Sequence, residues 1–139
     1  MGDLHRLIAF DLDGTLIDSR RDLAESANQL LGEMGAEPLP EDAIGRMVGE
    51  GARVLVQRAL TARGLAETPA SVPRFLEIYD TRLLNHTRLY EGVLDAVRLA
   101  RQHARVAILT NKPEQPSEKV LAGLGIRNLF DEVIGGDGA

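Results

Sequence analysis

Two carboxylates, Asp11 and Asp13, stand two residues apart directly after the apolar run Leu7-Ile8-Ala9-Phe10. In a strand, a spacing of two points both acids to one side while Leu12 turns into the core. Carboxylates this close repel each other until a cation or a proton neutralises one of them. The chain has no cysteine, so a metal must be held by oxygen or by His5, His86 or His103, and an oxygen set favours Mg²⁺. Asp11 and Asp13 are therefore candidate metal ligands as well as candidate catalytic groups. Gly14 permits a sharp turn with exposed backbone N–H groups, and Thr15 adds a hydroxyl. The competing reading is that acids and a glycine simply terminate a strand.

Such a site needs elements to position it. Leu7 to Phe10 is short, apolar and ends abruptly in a polar loop, which suits a buried parallel strand. Val106 to Leu109 repeats the pattern and ends at Thr110-Asn111-Lys112-Pro113, and Glu132-Val133-Ile134 is a shorter third strand closed by Gly135-Gly136. Ligands of open α/β sheets bind at the carboxyl ends of strands, where Asp11, Asp13 and Thr110 all fall. Taken alone, Thr110 reads as a cap of the following loop.

The remaining segments are helical in pattern. Ser19-Arg20-Arg21-Asp22 reads as a capping box, followed by Leu23, Ala27, Leu30, Leu31 and Met34 at helical spacing and by Gly35 as a stop. A short helix is expected within Pro40 to Met47, a longer one from Ala52 to the stop at Gly64, and another starting near Ser71 and Pro73. Two more are expected at Gly92 to His103 and Pro116 to Leu124. A strand, a long helical stretch and then a helix-strand-helix-strand series predict an α/β protein with a helical insertion after the first strand.

Composition narrows the function classes. With 139 residues and 44% of them apolar, the chain can bury one core with a modest insertion. A net charge of -5 and 4% aromatic residues argue against a nucleic-acid binder. The apolar runs are too short to span a bilayer or to form a signal-peptide core, so the expectation is a soluble, cytoplasmic protein with no membrane partner.

Leu7 to Ser19 as a whole, Leu-Ile-Ala-Phe-Asp-Leu-Asp-Gly-Thr-Leu-Ile-Asp-Ser, resembles the first motif of the haloacid-dehalogenase-like phosphatases. The resemblance implies a Rossmann-like parallel sheet with an inserted all-helical cap, with residues 1–19 and 90–139 as a partial catalytic core and 20–89 as the cap. It implies that Asp11 attacks phosphorus to form an aspartyl-phosphate. Asp13 would protonate the leaving alcohol, later activate water, and offer its backbone carbonyl to Mg²⁺. The physics fits, because a carboxylate nucleophile approaching a phosphate dianion needs a cation against like-charge repulsion. Val106 to Thr110 is similar to the second motif, so the Thr110 hydroxyl and the Asn111 backbone would hold phosphoryl oxygens together with Gly14 and Thr15.

Within that superfamily the chain is similar to the phosphoglycolate phosphatases along its length. The likeness is carried by Val48-Gly49-Glu50-Gly51, Tyr90-Glu91-Gly92-Val93, Thr110-Asn111-Lys112-Pro113, Leu124-Gly125-Ile126 to Phe130-Asp131 and Val133 to Asp137. The expected activity is Mg²⁺-dependent hydrolysis of a small phosphomonoester, 2-phosphoglycolate first. Sugar phosphates, pyrophosphate and nucleotides are alternative substrates, and a non-catalytic phosphate- or partner-binding remnant is the alternative function. In the cap, Gly49, Glu50, Gly51 and Arg53 are the specificity candidates. Gly51 would open a helix whose N–H groups and dipole receive a substrate carboxylate, against the plainer reading of a helix-breaking loop.

Some residues are expected to stand apart from the chemistry. Lys112 follows the second strand, whereas the family's phosphate-balancing lysine follows the third, so Lys112 is expected to be solvated or to face the cap. Asp137 resembles the Gly-Gly-Asp stretch before that lysine rather than the family's later acidic motif. His86 and His103 are expected at the surface. The resemblance covers the first three strands of the family's core, which leaves the first strand with an open edge and predicts self-association through it.

Overall fold

A computed structural model describes residues 6–137, so His5 lies outside the described residues. Along the chain run β1 (Leu7–Phe10), β2 (Ile17–Asp18), α1 (Arg20–Glu33), α2 (Glu41–Gly45), α3 (Ala52–Ala62) and α4 (Ser71–Asp80). They are followed by β3 (Arg88–Leu89), α5 (Val93–Arg101), β4 (Arg105–Leu109), α6 (Glu114–Gly123), a 3₁₀ turn (Arg127–Leu129) and β5 (Glu132–Ile134). The chain divides into two compact units, Met1–Asp18 with Arg88–Ala139, and Ser19–Thr87.

The first unit is α/β. β1, β4 and β5 form a parallel sheet in that order, with Ile8 opposite Val106 and Ile108 opposite Val133. Each crossover steps the same way along the sheet, so right-handed connections place α5 and α6 on one face. Val106, Ile108 and Val133 are buried on one face and Ala107 on the other, whereas Leu7, Leu109 and Ile134 on the Ala107 face are 59%, 57% and 40% exposed, and β1, expected to be buried, has no buried residue. The β2 and β3 segments pair antiparallel, Ile17 with Leu89 and Asp18 with Arg88, just where the chain leaves this unit and returns to it. Two-residue strands carry no hydrophobic period, so the sequence pattern does not reveal this pair. α6 begins at Glu114, two residues ahead of the expected Pro116, because proline is tolerated in the first turn, where its missing N–H loses no helical bond.

The second unit is helical. α1 packs on α2, α3 and α4, and α3 packs on α4, with Leu31, Ile44, Leu60 and Phe75 fully enclosed. Phe75 and Tyr79 stack at a centroid distance of 5.9 Å. Asn28 pins the loop before α2: its amide donates to the Leu39 carbonyl at 2.9 Å and accepts from the Leu39 N–H at 2.8 Å.

The expected capping box at the start of α1 is not formed. Ser19 makes no side-chain cap, and the Asp22 carboxylate accepts hydrogen bonds from the His86 N–H, the Thr87 N–H and the Thr87 hydroxyl. A box needs the longer reach of Glu or Gln back to the cap residue. Asp22 is wholly buried and instead closes the ends of the helical unit on each other.

Candidate active site

The turn after β1 sets the site. The Leu12 carbonyl accepts the N–H groups of Thr15, Leu16 and Ile17, and Gly14 at φ +80° returns its own N–H to the Ile17 carbonyl at 2.9 Å. Leu12 is fully buried, which leaves Asp11 on the exposed side of the turn and the Asp13 side chain only 10% exposed. Oδ1 of Asp11 accepts the Leu12 N–H at 2.7 Å, which fixes the carboxylate orientation locally. Gly14 and Thr15 are exposed at the same turn.

The neighbouring strand delivers the second loop. Because β1 and β4 are parallel and in register from Leu7 opposite Arg105 to Phe10 opposite Ile108, Thr110 and Asn111 emerge at the same sheet end as Asp11. Thr110 is buried, its N–H donates to the Ile134 carbonyl at 3.1 Å, and its Oγ1 accepts the Lys112 N–H at 3.2 Å. A hydroxyl that accepts still has one hydrogen to donate, so Thr110 keeps a donor for an anion. Asn111 is exposed.

Lys112 is not solvated, which corrects that part of the sequence expectation. Its side chain is 3% exposed, and Nζ lies 3.2 Å from each of the two Asp13 carboxylate oxygens. Lysine sits at the surface by default, and burial becomes tolerable only with a paired charge. Here that charge arrives from a loop 99 residues earlier in the chain, a separation at which no local pattern signals the contact.

The segment after β5 braces the Lys112 loop. The Gly136 N–H donates to the Lys112 carbonyl at 2.9 Å, and Asp137 Oδ1 accepts the Glu114 N–H at 2.8 Å, satisfying one of the open donors at the start of α6. A Cβ at Gly136 would lie 2.2 Å from the Asn111 carbonyl oxygen, and one at Gly135 would lie 2.4 Å from the Glu114 nitrogen. Both glycines are thus required by close backbone approach. Gly135 to Asp137 therefore belong to the support of this site, whereas the sequence pattern shows the two glycines only as a strand stop.

As a cation site, the Asp11 and Asp13 turn offers oxygen donors alone. Mg²⁺ commonly takes one or two carboxylates, several waters and substrate phosphate oxygens, so the donor set fits it. Among the described residues, a threefold grouping of metal-capable side chains occurs elsewhere, at Asp22, Glu25 and His86, with ligand atoms within 4.8 Å of one another. The Asp22 oxygens already accept backbone and hydroxyl donors, and Glu25 lies 3.6 Å from Arg82, so that cluster is a hydrogen-bonded network with its own cation. His86 and His103 are exposed, as expected.

The cap loop belongs to the helical unit. Gly49 and Gly51 have φ of +119° and +96°, a conformation that favours glycine, and Gly51 immediately precedes α3. Glu50 is ion-paired with Arg58, and the exposed Arg53 lies 3.8 Å from Glu67. Pairing with Arg58 offsets the charge that makes Glu50 an awkward neighbour for an anion.

The chain matches the family model for haloacid dehalogenase-like hydrolases over residues 8–139. It is 40% identical to a phosphoglycolate phosphatase of Rhodospirillum rubrum, covering 95% of this chain and 58% of that protein. It is 39% identical to one of Haemophilus influenzae, covering 98% and 65%. The crystal structure of a predicted phosphoglycolate phosphatase from Haemophilus somnus superposes with a TM-score of 0.84 at 34% identity, over 96% of this chain and 63% of that one. The chain therefore spans less than two thirds of the length of these relatives. A core motif, a parallel sheet and relatives that agree along the chain place it in one family: it belongs to the haloacid dehalogenase-like hydrolases.

Proposed function

We propose that this chain carries the nucleophile and the acid-base carboxylate of an Mg²⁺-dependent phosphomonoesterase, with 2-phosphoglycolate as its substrate and the cytoplasm as its setting. The observation that carries the reading is the meeting of the Asp11 turn and the Thr110 loop at one end of two paired parallel strands. The phosphoglycolate phosphatases among the relatives favour the substrate.

In this reading a carboxylate oxygen of Asp11 forms a bond to phosphorus as the ester P–O bond breaks, and Asp13 gives its proton to the departing alkoxide. Water then attacks the aspartyl-phosphate, Asp13 takes its proton, and phosphate leaves with Asp11 restored. Thr110, the Asn111 backbone and the Gly14 and Thr15 turn hold the phosphoryl oxygens. Asp11 and the Asp13 carbonyl would hold Mg²⁺, which would supply the charge that lets a carboxylate approach a dianion. The Gly49, Glu50, Gly51 and Arg53 loop is the proposed source of selection for the substrate carboxylate.

The test is phosphate release with Mg²⁺ from 2-phosphoglycolate, sugar phosphates, pyrophosphate and nucleotides by the protein carrying this chain. Preference for 2-phosphoglycolate, abolished in Asp11→Asn, is the expected result, and Arg53→Ala should narrow the preference over esters without a carboxylate. Near-normal release by Asp11→Asn overturns the assignment.

A further inference from the structure

The Lys112 ammonium approaches the two Asp13 oxygens at equal distance, 3.2 Å, from a stem that is itself enclosed. Its backbone is held on both sides, the N–H by Thr110 Oγ1 and the carbonyl by the Gly136 N–H. Gly136 in turn has no room for a side chain against Asn111. A fixed charge on a fixed loop thus faces a carboxylate whose direction decides which oxygen can meet a leaving group.

We propose that Lys112 is a positioning residue for Asp13, resting on the phosphatase reading above: its ammonium fixes the orientation of the Asp13 carboxyl group, so that the oxygen that carries the proton in the protonated acid faces the departing alkoxide. It acts through Asp13 and not on the phosphoryl group. General acid catalysis is worth about 10²- to 10⁴-fold, and an ångström of misplacement can remove about 10²-fold. The contribution should depend on the leaving group. An alkoxide must be protonated as it departs, whereas p-nitrophenolate leaves without help.

The experiment compares 2-phosphoglycolate with p-nitrophenyl phosphate in Lys112→Met, Lys112→Gln, Asp13→Asn and the double variant Lys112→Met/Asp13→Asn. Lys112→Met should lower kcat for the alkyl ester by about 10²-fold with KM little changed, and should lower it far less for the aryl ester. Lys112→Gln, which keeps an N–H donor to Asp13, should recover part of the loss. In the Asp13→Asn background, Lys112→Met should add nothing, because a residue acting through Asp13 has no further route. Equal losses for both esters, or a raised KM for both, overturn the inference while leaving the phosphatase reading standing. No phosphate release by the unaltered protein removes that reading, and the inference with it.

A second readout needs no turnover. The sequence contains two lysines, Lys112 and Lys119, so a ¹⁵N-lysine spectrum of the 139-residue chain has two side-chain signals. The enclosed Lys112 ammonium should give a protected Nζ signal that is lost in Asp13→Asn. A signal unmoved by that change means the two groups do not hold each other, and the inference falls.

Discussion

Asp22, two residues into α1, and Thr87, at the far end of the helical unit, share two hydrogen bonds: Oδ2 accepts the Thr87 N–H at 2.8 Å and its hydroxyl at 2.7 Å. His86 adds its N–H at 2.9 Å, so a single buried carboxylate ties together segments 65 residues apart. Asp22→Ala leaves these donors enclosed without an acceptor and should destabilise the chain by about 2–4 kcal/mol. Asp22→Asn keeps one acceptor oxygen and should lose less. Urea unfolding of the two variants orders them, and equal midpoints to the parent chain would contradict the role.

Glu33 and Arg74 join α1 to α4 through two contacts of 2.8 and 2.7 Å. The Arg74 guanidinium hydrogen-bonded to Glu33, helped by Gln29, holds its carboxyl at about 2, below its usual 4.5. A carboxyl depressed in the folded chain contributes stability above its unfolded value and loses that contribution as pH falls through its folded value. The pair's contribution should therefore fade between about pH 4.5 and about pH 2. Both groups are at the surface, so salt should weaken it. Melting temperatures across that window should fall less steeply in Glu33→Gln than in the parent chain.

Two glycines predict opposite signs for the same substitution. Gly136 has no space for a Cβ, which would meet the Asn111 oxygen at 2.2 Å, so Gly136→Ala must shift the Thr110 to Lys112 loop and should destabilise by about 1–3 kcal/mol. Gly32 lies inside α1 on an ordinary helical backbone, and a methyl group there would meet nothing within 4 Å, so Gly32→Ala should stabilise by about 0.4–1 kcal/mol. Denaturant midpoints for the pair give the comparison directly, and like signs would show that the close approach at Gly136 is not a constraint.

The three core strands are legible in the sequence because Leu7 to Phe10 and Val106 to Leu109 are short apolar runs that end abruptly in polar residues and Glu132 to Ile134 is closed by two glycines, and the helices are legible because Leu23, Ala27, Leu30 and Leu31, for example, recur at helical spacing. The Asp11 and Asp13 turn is legible for the same reason, with Leu12 between them committed to the core. What cannot be read is set by partners distant in the chain. Lys112 looks solvated because the carboxylate that enables its burial lies on another strand's turn. Asp22 looks like a cap because its real donors, at His86 and Thr87, follow three further helices. The β2 and β3 pair is too short to show a period, and Gly135 and Gly136 look like a stop because only the fold brings Asn111 and Glu114 against them.

The sheet face opposite α5 and α6 predicts self-association of this chain. Leu7, Leu109 and Ile134 share that face, Leu109 directly opposite Ile134 and Leu7 opposite Arg105 at the other end of β4, and each is at least 40% exposed. β1 also ends the sheet order, so among the described residues one side of its backbone has no strand partner. An apolar face beside an open strand edge satisfies both requirements for association, burying the leucines and pairing the edge at once. Sizing chromatography of the 139-residue chain should show concentration-dependent oligomers. Placing charges on the face with Leu7→Lys and Ile134→Lys should shift the chain toward monomer, because a lysine on an exposed edge strand opposes association. A chain that is monomeric at every concentration, with or without those lysines, would show that the exposed face drives no association.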